Sequence, residues 1–176
     1  VPSDAGRFGA FALNAGVRAA KRDFFLVHAG RKMNRHGLIV DVHTTQATGT
    51  AERDAALVML ERRAAPRKPD RPITVGADRG YDTAEFIQSL QDMSMVPHVA
   101  AKTRGSAVPE AIKETEDYAV SLRRRKMIEE AFGWVKDVGT LGRVMLRGLD
   151  RLRGEVLLNF AAYNLIRLGN LLAPSH

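Results

Sequence analysis

Two carboxylates in this chain stand where they could do chemistry. Asp78 follows the short apolar run Ile73-Thr74-Val75-Gly76-Ala77 and precedes the turn Arg79-Gly80-Tyr81. The end of a buried strand, just before a Gly-containing turn, is where open α/β sheets place ligands and catalytic groups, and an Asp there can bind a divalent cation. The same residues also read as an Asp that merely caps a turn. Glu129 is the second carboxylate. Arg125, Glu129 and Lys136 follow at offsets of four and seven, which puts them on one face of a helix expected over 120–136. A carboxylate between two cations suits phosphate handling, with Glu holding metal while Arg and Lys meet phosphate oxygens. The plainer reading is a solvated face with Arg–Glu pairing, worth about 0.2–0.5 kcal/mol per pair. Arg123 and Arg124 extend this patch into a basic run, and Arg143, Arg147, Arg151 and Arg153 follow. That density fits a nucleic-acid backbone, set against ordinary surface charge.

The elements that must position these residues can be read from pattern. Phe24–Val27 and Leu38–His43 are apolar runs around the turn Asn34-Arg35-His36-Gly37, which suggests a hairpin. Thr50 is an expected N-cap, with Glu52 and Asp54 in the first turn of a helix that ends before a proline-broken basic loop over 65–72. Strand 73–77 leads to Asp78. Asp82 and Glu85 resemble a capping box opening a helix whose Phe86, Ile87 and Leu90 face inward. A strand follows at Met95–Ala100, placed at a sheet edge by Pro97. Residues 102–117 read as a loop with at most a short helix, and after the helix over 120–136 a Gly-broken basic segment precedes a last helix over 150–172. Strands first, then alternating helices, imply an α/β domain with a mixed sheet and a helical C-terminal part.

Composition bounds the function. The 176 residues make one domain, with 45% hydrophobic and 27% charged residues, enough for a packed core. Lys and Arg number 27 against 20 Asp and Glu, a net charge of +7. The excess points to a polyanionic partner, nucleic acid first and an acidic membrane surface second. Without cysteine there is no disulfide, thiolate metal site or cysteine nucleophile. His36 and His43 lack a third ligand at helical spacing and read as turn and surface residues rather than a zinc site. Trp134 and Tyr163 read as core. No apolar run reaches the roughly 18 residues that span a bilayer, so the expectation is a soluble, intracellular chain, and the start at Val1 reads as that of a fragment.

Three separated blocks resemble a known family. Gly76-Ala77-Asp78-Arg79-Gly80-Tyr81-Asp82, the run from Arg125 to Lys136, and Ala161-Ala162-Tyr163-Asn164-Leu165-Ile166-Arg167-Leu168 are similar to bacterial insertion-sequence transposases of the DDE class. Gly37–Asp41 and Thr45–Arg53 look like the same family, so the resemblance covers residues 34–173. It implies an RNase H-like mixed sheet flanked by helices, a poorly matched segment at residues 1–33, and a catalytic-domain portion at 34–176. It also implies DNA transposition: Mg²⁺- or Mn²⁺-dependent cleavage of element ends and transfer to target DNA, by a homo-oligomer when intact. Asp78 and Glu129 become the expected catalytic residues and metal ligands, with Arg125, Lys136, Arg123, Arg124, Arg143 and Arg147 on DNA. The family's C-terminal signature is Tyr-x₂-Arg-x₃-Glu-x₆-Lys, and here its Tyr position is Leu122. A first catalytic Asp is expected on the first core strand. Residues 1–33 offer only Asp4 and Asp23, neither in the expected strand context, and Asp41 matches a different position. The first strand is therefore expected to be incomplete or missing, in a truncated or frame-shifted copy. The reading is of an incomplete or inactive copy, with a catalytically dead DNA-binding remnant and an RNase H-like nuclease as the alternatives.

Overall fold

The computed structural model describes residues 24–28, 30–46, 48–62, 72–143 and 145–173. Its strands are β1 (Phe24–His28), β2 (Arg31–Asn34), β3 (Ile39–Val42), β4 (Ile73–Ala77) and β5 (Met95–Val99). They form one sheet in the order β3-β2-β1-β4-β5. The first three run antiparallel as a meander, whereas β4 lies parallel to both β1 and β5. Helix α1 (Ala51–Glu61) precedes β4, and α2 (Ala84–Asp92) connects β4 to β5. Then come α3 (Glu110–Lys113), α4 (Glu116–Arg124), α5 (Lys126–Asp137) and α6 (Leu149–Leu172). This is an α/β mixed sheet with flanking helices and a helical C-terminal part, the arrangement of an RNase H-like fold.

The two-residue period of β1 divides the core. Phe25 and Val27 pack with Leu60, Val75, Tyr81, Phe86, Leu90 and Val99. Leu26, between them in sequence, points to the opposite face and joins Met33, Ile39, Ile128, Ala131, Val135 and Phe160. Thus α1 and α2 cover one face, and α5 and α6 the other. The rings of Trp134 and Tyr163, expected in the core, sit at the margin of the second cluster with centroids 5.8 Å apart.

Several expectations change. A strand does stand at the sheet's centre: β1 has Leu26 opposite Met33 on one side and Gly76 on the other, and it begins at the limit of the described residues. Residues 1–23, including Asp4 and Asp23, lie outside the described residues. The single hairpin becomes two turns, because Arg31–Asn34 forms an extra strand between the apolar runs. The second turn is the expected one: the Asn34 side chain accepts the His36 and Leu38 N–H groups, and Gly37 takes φ +81°, a left-handed angle that glycine adopts without penalty.

The helix expected over 120–136 divides at Arg125 into α4 and α5. Leu122 packs against the first core and Ile128 belongs to the second, so the chain passes around the end of the sheet at this point. Thr83 rather than Asp82 caps α2, accepting the Phe86 N–H. The buried Asp82 carboxylate instead accepts the Lys102 and Ala107 N–H groups, at 2.7 and 2.8 Å. Burial pushes that carboxyl up, but these bonds and one from the Ser106 side chain outweigh it and lower its pKa. No helix among the described residues is long and apolar enough to cross a membrane.

Candidate functional site

Parallel pairing of β1 with β4 builds the site. Val27 is opposite Ala77, so the next residues along both strands, His28 and Asp78, emerge side by side at the sheet's C-terminal edge. His28 Nδ1 lies 3.0 Å from Asp78 Oδ2. The other Asp78 oxygen accepts the Gly80 N–H at 2.8 Å, which caps the short 3₁₀ turn Arg79–Tyr81. The turn-capping reading of Asp78 therefore holds, and the residue also stands at the C-terminal end of a parallel strand. Its pKa is lowered: the hydrogen bond with His28 contributes most, burial opposes it, and the Gly80 N–H and the charges of His28 and Arg125 add to the lowering.

An open cleft of about 790 Å³ begins at this edge. Asp78, Arg125 and Glu129 all line it, so the β4 terminus, the α4–α5 junction and the first turn of α5 meet despite wide separation in sequence. Lys136 does not line it; its Nζ sits 4.1 Å from the centroid of the Phe132 ring. Arg123 and Arg124 are exposed at the end of α4, and Arg143 and Arg147 are exposed between α5 and α6, all outside the cleft wall. Asp41 is held elsewhere, by Lys32 at 3.3 Å and Arg62 at 3.4 Å on edge strand β3.

Three residues of this edge escape a reading of local pattern. His28 is found only through strand register. Glu52, in the first turn of α1, lines the cleft from the other side. Tyr118 lies one helical turn before Leu122, the position where the resemblance places a tyrosine. It lines the cleft while its hydroxyl donates to the Val99 carbonyl and accepts the Ala101 N–H.

The acids of the cleft offer hard oxygen donors, the type that Mg²⁺ and Mn²⁺ take. Among the described residues, however, no three His, Asp or Glu side chains converge to hold a metal ion. Asp78 is already engaged by an imidazole and a backbone N–H. Two ions about 3.5–4 Å apart need several converging carboxylates. The described residues do not fit a two-ion centre.

A family model described as "Transposase DDE domain" matches residues 16–165. No curated protein and no solved structure matches the chain.

Proposed function

We propose, for a chain that belongs to the transposase DDE domain family, that it binds duplex DNA across the Asp78–Glu129 cleft but neither cuts nor joins it. DNA transposition is the family activity from which this reading departs. The observation that carries it is the composition of the cleft: Asp78, Glu129 and Glu52 line it with Arg125, yet Asp78 is tied to His28 and, among the described residues, no three ligands converge on a metal position. In a complete enzyme of this family, Asp78 and Glu129 would be the metal ligands, and Arg125 would meet a DNA phosphate. Strand transfer by divalent ions depends on stabilising both the attacking and the leaving oxygen. Losing such electrostatic stabilisation costs several kcal/mol, and each 1.36 kcal/mol is tenfold in rate. Binding survives because it depends on basic side chains and not on metal.

The test is incubation of the chain with supercoiled plasmid carrying the element's ends in Mg²⁺ or Mn²⁺, alongside Asp78→Ala and Glu129→Ala. We expect no nicking or joining above background by any of the three, with duplex binding retained. Robust cleavage that disappears in both variants would overturn the proposal and mean that a third acid completes the site.

A further inference from the structure

We infer that the pocket lined by Arg31 binds a phosphate group. This pocket, about 290 Å³, lies between the start of β2, the loop entering α1, and the aromatic side of α5 and α6. Arg31 is only 5% exposed. Its guanidinium carbon stands 3.8 Å from the centroid of Phe132 and 5.7 Å from that of Phe160. Its Nε–H donates to the His28 carbonyl at 3.3 Å. Among the described residues, no acceptor takes its remaining N–H groups and no carboxylate is in salt-bridge contact with it. Stacking on rings fixes the planar fork, which then presents its unused donors in a set direction.

A buried cation without a counter-ion is expensive. Burial brings the Arg31 pKa down to about 10, with Tyr81 and Glu52 pulling the other way. The side chain remains charged at neutral pH, so the pocket holds a positive charge that the ring faces and Glu52 offset only in part, with no salt bridge. The rest of the wall supplies neutral donors. Thr44, Thr45 and Thr48 line it, and Thr48 Oγ1 already accepts the Ala51 N–H at 3.1 Å, which leaves its proton to point elsewhere. A carboxylate has only two oxygens, and a bidentate fork takes up both. A tetrahedral phosphate uses both the fork and the hydroxyls. Glu52 is the one acid in the wall among the described residues, and it also lines the Asp78 cleft, so the two hollows adjoin around this side chain. For the source of the phosphate this inference rests on the DNA-binding reading: a backbone lying in the cleft would bring a phosphodiester to Arg31, and free phosphate is the other source.

The experiment measures melting of the whole chain in inorganic phosphate against chloride at matched ionic strength, for the native protein, Arg31→Met and Glu52→Gln. A ligand that binds only the folded state raises its melting temperature. We expect phosphate to raise the native melting temperature, Arg31→Met to abolish the rise, and Glu52→Gln to enlarge it by removing the opposing charge. Arg31→Met should fold, because replacing a buried charge with an apolar side chain is often neutral or stabilising. If it gives no cooperative melt, Arg31→Lys replaces it, with a smaller rise expected. No phosphate effect on the native chain, or an equal effect on native, Arg31 variant and Glu52→Gln alike, overturns the inference. Duplex binding separates the sources. Weaker DNA binding by Arg31→Met, together with competition by free phosphate, supports a DNA phosphate. Unchanged DNA binding with loss of the phosphate effect supports free phosphate. Failure of the DNA-binding reading shows in the duplex measurement alone, whatever phosphate does to melting.

Discussion

His28 decides how Asp78 behaves. Because the hydrogen bond with His28 is the largest cause of the lowered Asp78 pKa, the ionised carboxylate is favoured in the folded chain more than in the unfolded one. A depressed carboxylate contributes stability that is fully present above its unfolded pKa, near the ordinary Asp value of 3.8, and is lost as pH falls through the lower folded value. His28→Ala should therefore be less stable than the native chain at neutral pH, and the difference should shrink as pH drops below about 4. Its size should stay below about 1 kcal/mol, because both side chains are part-exposed and solvent screens them. Chemical denaturation at stepwise pH values checks this, and a difference that grows toward low pH would contradict it. His28→Asp makes a separate prediction. It would place a carboxylate beside Asp78 where a nitrogen now lies 3.0 Å away. Ligand charge count tunes affinity for hard divalent cations. Titration with Mn²⁺, followed by its electron-spin signal, should then show binding roughly tenfold or more tighter than in the native chain.

At the scale of elements, the sheet's open edge is held by one side chain from α6. Asn164 accepts the Ile39 N–H at 2.9 Å and donates to the Ile39 carbonyl at 2.7 Å, so it pairs with edge strand β3 as another strand would. Arg167, a turn later, donates to the His36 carbonyl at 3.1 Å. Asn164→Ala leaves both backbone groups of Ile39 without that partner, and a lost part-buried pair costs about 1–3 kcal/mol. The expected result is a lower melting temperature with faster amide exchange at Ile39; native-like protection there would show that α6 docks by apolar contact alone. The turn after α5 makes a parallel case. A Cβ on Gly139 would collide with Asn159 Oδ1 and the Val135 carbonyl, while Asn159 Oδ1 accepts the Thr140 N–H at 2.9 Å. Gly139→Ala should destabilise the chain and loosen the start of α6, read by the same exchange measurement. These elements also show what sequence discloses. Strand β4, the β5 edge strand, α1 and α2 follow from apolar period and breakers, because each pattern matches the face that the element buries. In contrast, α6 is legible as a helix but buries only Asn159 and Phe160 fully and leaves Leu157, Leu158, Leu165 and Ile166 exposed. Strand β2 does not, because Arg31 and Lys32 are buried by partners distant in sequence: the Phe132 and Phe160 rings for one, Asp41 and the Met59 carbonyl for the other. The break at Arg125 is equally hidden, since a helix changing cores keeps an unbroken local pattern. At the site, Asp78 and Glu129 were legible from position, whereas His28, Glu52 and Tyr118 arrive through register and packing.

At the scale of the whole molecule, the excess of seven positive charges predicts how DNA binding should depend on salt. Arg123 and Arg124 close α4 and are exposed, as are Arg143 and Arg147 before α6 and Arg151 and Arg153 at its start. Arg125, by contrast, is inside the cleft. Each phosphate neutralised releases condensed counterions, so log affinity falls against log salt with a slope of about −0.9 per contact on duplex DNA. If the α4 end lies on the backbone, Arg123→Gln with Arg124→Gln should reduce the steepness by about two while weakening all sequences alike. The pair Arg143→Gln with Arg147→Gln tests the surface before α6 in the same way. Fluorescence anisotropy with a labelled duplex at several salt concentrations separates the two surfaces. A slope changed by only one pair would assign the DNA track to that side of the cleft. Slopes unchanged by both pairs would mean that these arginines are solvated charge, and that the DNA contact is confined to the cleft itself.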